Sequence, residues 1–90
     1  MEITDVRVHL REGANHLKAY VSVTLDDAFA VKDLKVVEGA RGLFVSMPSR
    51  KLPDGTYLDV AHPITKEMRD VLQARVLAAY RRAVEGAPAG

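Results

Sequence analysis

Leu17-Lys18-Ala19-Tyr20-Val21-Ser22-Val23-Thr24-Leu25 decides the fold. Leu17, Ala19, Val21, Val23 and Leu25 occupy one parity of this run, and Lys18, Tyr20, Ser22 and Thr24 the other. Period-two alternation of this kind is the pattern of a strand with one buried and one wet face. Upstream, Val6, Val8 and Leu10 alternate with Asp5, Arg7, His9 and Arg11 in the same way. The connection Glu12-Gly13-Ala14-Asn15-His16 holds turn-formers, so the two runs read as a hairpin. Downstream, Asp26-Asp27 is a turn, after which Phe29 and Val31 fall on one parity but Leu34 and Val36 on the other. One strand keeps both pairs on a single face only if an extra residue resets the register, which predicts a bulge near Lys32-Asp33.

Gly39-Ala40-Arg41-Gly42 makes the next turn, and the nearly all-apolar Leu43-Phe44-Val45-Ser46-Met47 reads as a central strand covered on both faces. Pro48 to Thr56 is a polar loop, within which Leu52-Pro53-Asp54-Gly55 fits a type I turn with glycine in the left-handed position. Tyr57-Leu58-Asp59-Val60 reads as a short returning strand. Pro63 biases His62 toward extended backbone, so the helix begins after it. Thr65 is the N-cap, and Glu67 and Asp70 place negative charge near the positive end of the helix dipole. Met68, Val71, Leu72, Val76, Ala79, Tyr80 and Ala83 form an apolar stripe, with Lys66, Arg69, Asp70, Gln73 and Arg81 opposite. Arg75 falls inside that stripe, and either a buried carboxylate or snorkelling at a subunit edge accounts for it. Gly86 stops the helix. The expectation is an α+β fold: an antiparallel sheet of four to five strands followed by one C-terminal α-helix. It forms a single domain over 1–85, with a short tail over 86–90.

Ninety residues suffice for one domain, whose thin stability margin favours pairing with a second copy. The apolar fraction of 48% and charged fraction of 28% argue against disorder. The absence of cysteine excludes disulfides and thiolate metal sites and fits a reducing compartment. The first residues lack the basic and apolar regions of a signal peptide, and no apolar run approaches the roughly 20 residues that span a bilayer. A cytoplasmic protein without membrane association is therefore expected. A net charge of +1 neither establishes nor excludes a nucleic-acid partner, because a reader of nucleic acid needs a local basic patch.

Two cationic pairs stand out. Arg50 and Lys51, beside Ser49, lie at the root of a proline-stiffened loop that loses little entropy on meeting phosphate oxygens. Lys66 and Arg69, three residues apart, share a face near a helix N-terminus, where free N–H groups and the dipole favour phosphate. The plainer alternatives are a solvated loop for the first pair, and ion pairs with Glu67, Asp70 or Glu2 for the second. Ser49, Asp59 and His62 supply the residue types of a hydrolase, but nucleophile-elbow glycines and an oxyanion-hole signature are missing. His9, His16 and His62 lie too far apart in sequence for metal-ligand spacing. Neither an enzyme nor a metal or other cofactor is expected.

Met1-Glu2-Ile3-Thr4-Asp5-Val6-Arg7, Val21-Ser22-Val23-Thr24, Glu38-Gly39 and Gly42-Leu43-Phe44-Val45 resemble the SpoVG family, the stage V sporulation protein G or septation proteins of bacteria. Met47-Pro48-Ser49, Pro53-Asp54-Gly55 and Asp59-Val60-Ala61-His62-Pro63-Ile64 carry the resemblance most strongly, and it runs from Met1 to about Tyr80. The connection over 12–16 departs from the family's common forms, and the tail is short. The resemblance implies a homodimeric regulator of gene expression that binds DNA and also RNA, with a role in septation or sporulation and no small-molecule substrate. It places Arg50 and Lys51, with Lys66 and Arg69 at the helix start, at the phosphate contacts. A protein-interaction module acting on the division machinery without nucleic acid is the alternative.

Overall fold

The computed structural model describes residues 1–11 and 16–86. Along the chain lie β1 (Ile3–Leu10), β2 (Leu17–Leu25), β3 (Phe29–Gly39), β4 (Gly42–Ser46), β5 (Ser49–Lys51), β6 (Tyr57–Asp59) and α1 (Lys66–Glu85). The first four strands form an antiparallel meander in the order β1-β2-β3-β4, and β5 and β6 form a separate two-stranded hairpin. The α+β architecture with one C-terminal helix is thus as the sequence indicates. Residues 12–15 of the first connection and 87–90 of the tail lie outside the described residues.

The strand alternation becomes a one-sided core. Val6 pairs with Val23 and Val8 with Val21, while Val36 pairs with Val45, so cross-strand neighbours present apolar groups to the same side. The buried sheet residues Ile3, Ala19, Val21, Val23, Leu34, Val36 and Val45 form one cluster with Leu72 and Val76 of α1. Each large aliphatic group so buried stabilises by about 1.5–3 kcal/mol. Helix α1 lies across this face and touches β1, β3 and β4.

The bulge predicted near Lys32-Asp33 is present. Val21 pairs with Leu34 but Val23 with Val31, so β3 carries one extra residue there, and Asp33 takes a left-handed φ of 67°. That residue lets Val31 and Leu34 both face the helix. The turn after β2 uses Asp26 and Asp27, both left-handed (φ 51° and 53°), the conformation that matches the twist of a tight hairpin. Asp26 Oδ1 accepts from the Glu2 N–H at 2.8 Å, and Thr4 Oγ1 accepts from the Asp27 N–H at 3.0 Å, which ties the start of β1 to this turn.

Three expectations require correction. β4 is an edge strand, not a central one: the chain leaves it through Pro48 and builds its own hairpin instead of a fifth sheet strand. The run is apolar on both parities for two different reasons. Val45 faces the core and Leu43 packs against it, whereas Phe44 covers Gly39 on the other face, where a Cβ would stand 2.9 Å from the ring. In α1, Val71 is 49% exposed, and Leu77 packs against the core with Met68 and Tyr80. Among the described residues Arg75 meets no buried carboxylate. Its Nη1 donates to the Ile3 carbonyl at 3.0 Å, which pins the helix to β1.

The ends of α1 behave as the sequence implies. Thr65 is extended and its Oγ1 accepts from the Met68 N–H at 3.1 Å. Gly86 caps the C-terminus, with its N–H donating to the Arg82 carbonyl at 2.9 Å.

Candidate functional site

The β5–β6 hairpin is built by its turn. The Leu52 N–H donates to the Thr56 carbonyl at 2.7 Å and the Gly55 N–H to the Leu52 carbonyl at 2.9 Å, with Gly55 left-handed at φ 90°. Asp54 Oδ1 accepts from both the Thr56 hydroxyl (2.6 Å) and the Thr56 N–H (3.0 Å). These bonds, the hydroxyl's first, hold the Asp54 carboxyl below the ordinary carboxylate range. At the base of the hairpin the Val60 N–H donates to the Pro48 carbonyl at 2.7 Å.

Arg50 and Lys51 therefore stand on a strand and not in a loop. Arg50 pairs with Leu58 and Lys51 with Tyr57, and since successive strand residues point to opposite sides, the two cations lie on opposite faces of the hairpin. Both are exposed, as is the whole of β6. The hairpin is a thin ribbon with one cation on each side.

The helix start divides the other pair. Lys66 Nζ donates to Asp70 Oδ2 at 2.8 Å, an exposed i,i+4 ion pair, so its charge is locally offset. Arg69 lines a cleft with Ser46, Met47, Asp59, His62 and Gln73, which brings the helix start beside the root of the hairpin. Among the described residues the ion pairs are Arg7–Asp5 and Lys66–Asp70, so Arg50, Lys51 and Arg69 pair with no described carboxylate.

Of the hydrolase-type residues, Ser49 and Asp59 are cross-strand partners in the hairpin. His62 Nδ1 lies 3.0 Å from the carbonyl oxygen of its own neighbour Pro63. That local contact gives no relay from a carboxylate to an imidazole to a hydroxyl.

The chain is similar to known proteins over nearly its full length, and residues 1–82 match the SpoVG family model. The chain belongs to the SpoVG family. A putative septation protein SpoVG of Lachnospira eligens is 54% identical over 92% of this chain and 94% of its own. Proteins of the same description from Clostridium beijerinckii (51% identical, 93% of this chain and 92% of that protein) and Caldicellulosiruptor saccharolyticus (48%, 93% and 96%) are similar in extent. The family match includes every strand, the hairpin and most of α1, so Arg50, Lys51, Lys66 and Arg69 all lie within the shared region. The name these relatives carry is that of a septation protein and not of a catalyst. Among the described residues no helix is long and apolar enough to cross a membrane.

A further set of groups, Arg7 and His9 exposed and Tyr20 half-buried, escapes a reading by local motif. Arg7, His9 and Tyr20 belong to the polar parity of β1 and β2, and pairing His9 with Tyr20 gathers them on the face away from α1. Parity alone is the signal that finds them, because no short motif contains both strands.

Proposed function

We propose that this SpoVG-family chain is a non-enzymatic, cytoplasmic regulator of gene expression that binds DNA and RNA as a homodimer and acts in septation or sporulation control. The observation that carries the reading is the hairpin: a ribbon stiffened by its Leu52–Thr56 and Gly55–Leu52 bonds, with exposed Arg50 and Lys51 on its two faces. Cations held on a preformed element meet phosphates at low entropic cost. Arg69, beside the hairpin root, adds a third cation, and Lys66 contributes only by exchanging Asp70 for phosphate. Such contacts recognise backbone and shape before base sequence.

A second copy doubles this modest charge. The uncovered edge of β4 offers one docking site for it. The other is exposed apolar surface, for Phe29, Tyr57, Leu58, Val60 and Ile64 are each more than half exposed.

Those same apolar groups favour a second reading, an interaction module that docks on the division machinery without nucleic acid. An equilibrium titration with mixed DNA and RNA at two salt concentrations separates the two. For four to six phosphates neutralised, log K falls against log salt with a slope of about −4 to −5. Arg50→Ala with Lys51→Ala weakens binding and flattens that slope while the fold is unchanged. Equal binding by this variant removes the hairpin cations from the site. Unaltered regulation in cells, with loss of activity on substituting Tyr57 and Leu58, favours the interaction module.

A further inference from the structure

We infer that the bare face of the four-stranded sheet is a second nucleic-acid surface, one that takes single strands, with Tyr20 as its stacking platform and Arg11 and Lys35 as its phosphate contacts. It rests on the nucleic-acid reading above but uses different residues on a different side of the molecule.

The register makes the surface. His9 pairs with Tyr20, Tyr20 with Lys35 and Lys35 with Ser46, so one continuous row crosses all four strands. This row lies on the opposite parity from Val21, Leu34, Val36 and Val45, and so away from α1. The Arg11 guanidinium stands over the Tyr20 ring, 5.6 Å from its centroid. A base that takes the guanidinium's place on the ring leaves Arg11 beside it, free to contact the flanking phosphate. The next row, Leu17–Val37–Phe44, extends the platform with an aromatic that is 43% exposed.

Charge favours this face over the hairpin. Around the hairpin and helix start, Asp54, Asp59, Glu67 and Asp70 equal the four cations in number. On the bare face Arg7 holds Asp5 at 2.9 Å, and the bulge opposite Ser22 adds one cation and one anion, Lys32 and Asp33, so Arg11 and Lys35 are the excess charge. A polyanion thus meets a positive surface there. Strand selectivity follows from geometry. A ring carried on a broad sheet reaches a base only when the base is unstacked, and a duplex keeps its bases stacked inside. Neighbouring strands about 4.8 Å apart place Lys35 one strand-width from Tyr20, within reach of the phosphate flanking a stacked base.

The test uses the full chain with a fluorescently labelled single-stranded oligonucleotide of about 16 nucleotides, enough for one site, and a duplex of the same sequence. Tyr20→Leu, which keeps apolar bulk and removes the ring, is expected to weaken single-strand binding roughly tenfold, while Tyr20→Phe binds like wild type. Arg11→Ala with Lys35→Ala is expected to reduce the single-strand salt slope by about 1.4. Duplex binding is unaffected by all three changes and still depends on Arg50 and Lys51. Wild-type single-strand binding by both Tyr20→Leu and the Arg11/Lys35 variant overturns the inference and leaves the hairpin reading intact. Dissociation of a dimer by Tyr20→Leu, seen by light scattering, also overturns it, since the face is then a subunit interface. Loss of single-strand binding in the sheet variants alone, with the Arg50/Lys51 variant unimpaired, supports the inference and overturns the hairpin reading. No binding of either nucleic acid by wild type at low salt overturns both.

Discussion

The two faces of the β1–β4 sheet are built from the same strands and have opposite chemistry. One face presents Val21, Val23, Leu34 and Val36, all nearly inaccessible beneath α1. The other presents Arg7, His9, Tyr20 and Lys35, over which the described residues place no second layer. An antiparallel sheet tolerates this asymmetry because its polar face is solvated. The lesson is a division of labour: the helix-covered face holds the fold together, and the bare face is available for contact.

The largest expected effect tests whether stability is confined to the covered face. Leu34→Ala, at a residue 1% exposed, should lower unfolding free energy by about 2–5 kcal/mol in a denaturant titration. Its neighbour Lys35, one residue along the same strand but on the other face, should change stability by no more than about 0.5 kcal/mol on substitution by alanine. Comparable losses for the two would show that the bare face is buried in solution.

That contrast was legible in the sequence wherever alternation is strict. The parities of 5–11 and 19–25 assigned both faces, while a register shift between Leu17 and Ala19 takes Leu17 out of the pattern, and the parity switch between Val31 and Leu34 placed the bulge near Lys32-Asp33. Thr65, Gly55 and Gly86 announced their roles because caps and tight turns rest on local backbone chemistry. The position of β4 was not legible. A run that is apolar on both parities looks doubly covered, and nothing local shows that Phe44 is spent on filling the space over Gly39. Arg75 was likewise opaque, since its partner is a backbone carbonyl 72 residues away. At the candidate site the residue types were evident, but their relation was not. Adjacency in sequence suggests that Arg50 and Lys51 act side by side, whereas a strand sends them to opposite faces.

Smaller effects sharpen a second contrast, between the sheet and the hairpin. Gly55→Ala meets no neighbour within 4 Å, so its cost is that of the left-handed backbone alone, about 1–2 kcal/mol. The loss should appear as faster amide exchange across β5 and β6, with the sheet unchanged. Thr65→Ala removes the bond to the Met68 N–H and should cost about 1 kcal/mol, read as a lower unfolding midpoint. The smallest effect is a response to acid. The Asp54 carboxylate is stabilised in the folded turn, so its contribution is complete above the ordinary carboxylate pKa and is lost as pH falls through the depressed one. Amide exchange at Thr56, corrected for its intrinsic pH dependence, should rise over that acidic range, and Asp54→Asn should remove the dependence.

The most direct test of the account is an amide and side-chain NMR titration of the purified protein with single-stranded and duplex nucleic acid at low salt. The account predicts salt-reversible shifts at Arg50, Lys51 and Arg69 with either ligand, and at Arg11, Tyr20 and Lys35 with single strands, while Leu34, Val36 and Val76 stay fixed. A spectrum unmoved by nucleic acid at low ionic strength would contradict it.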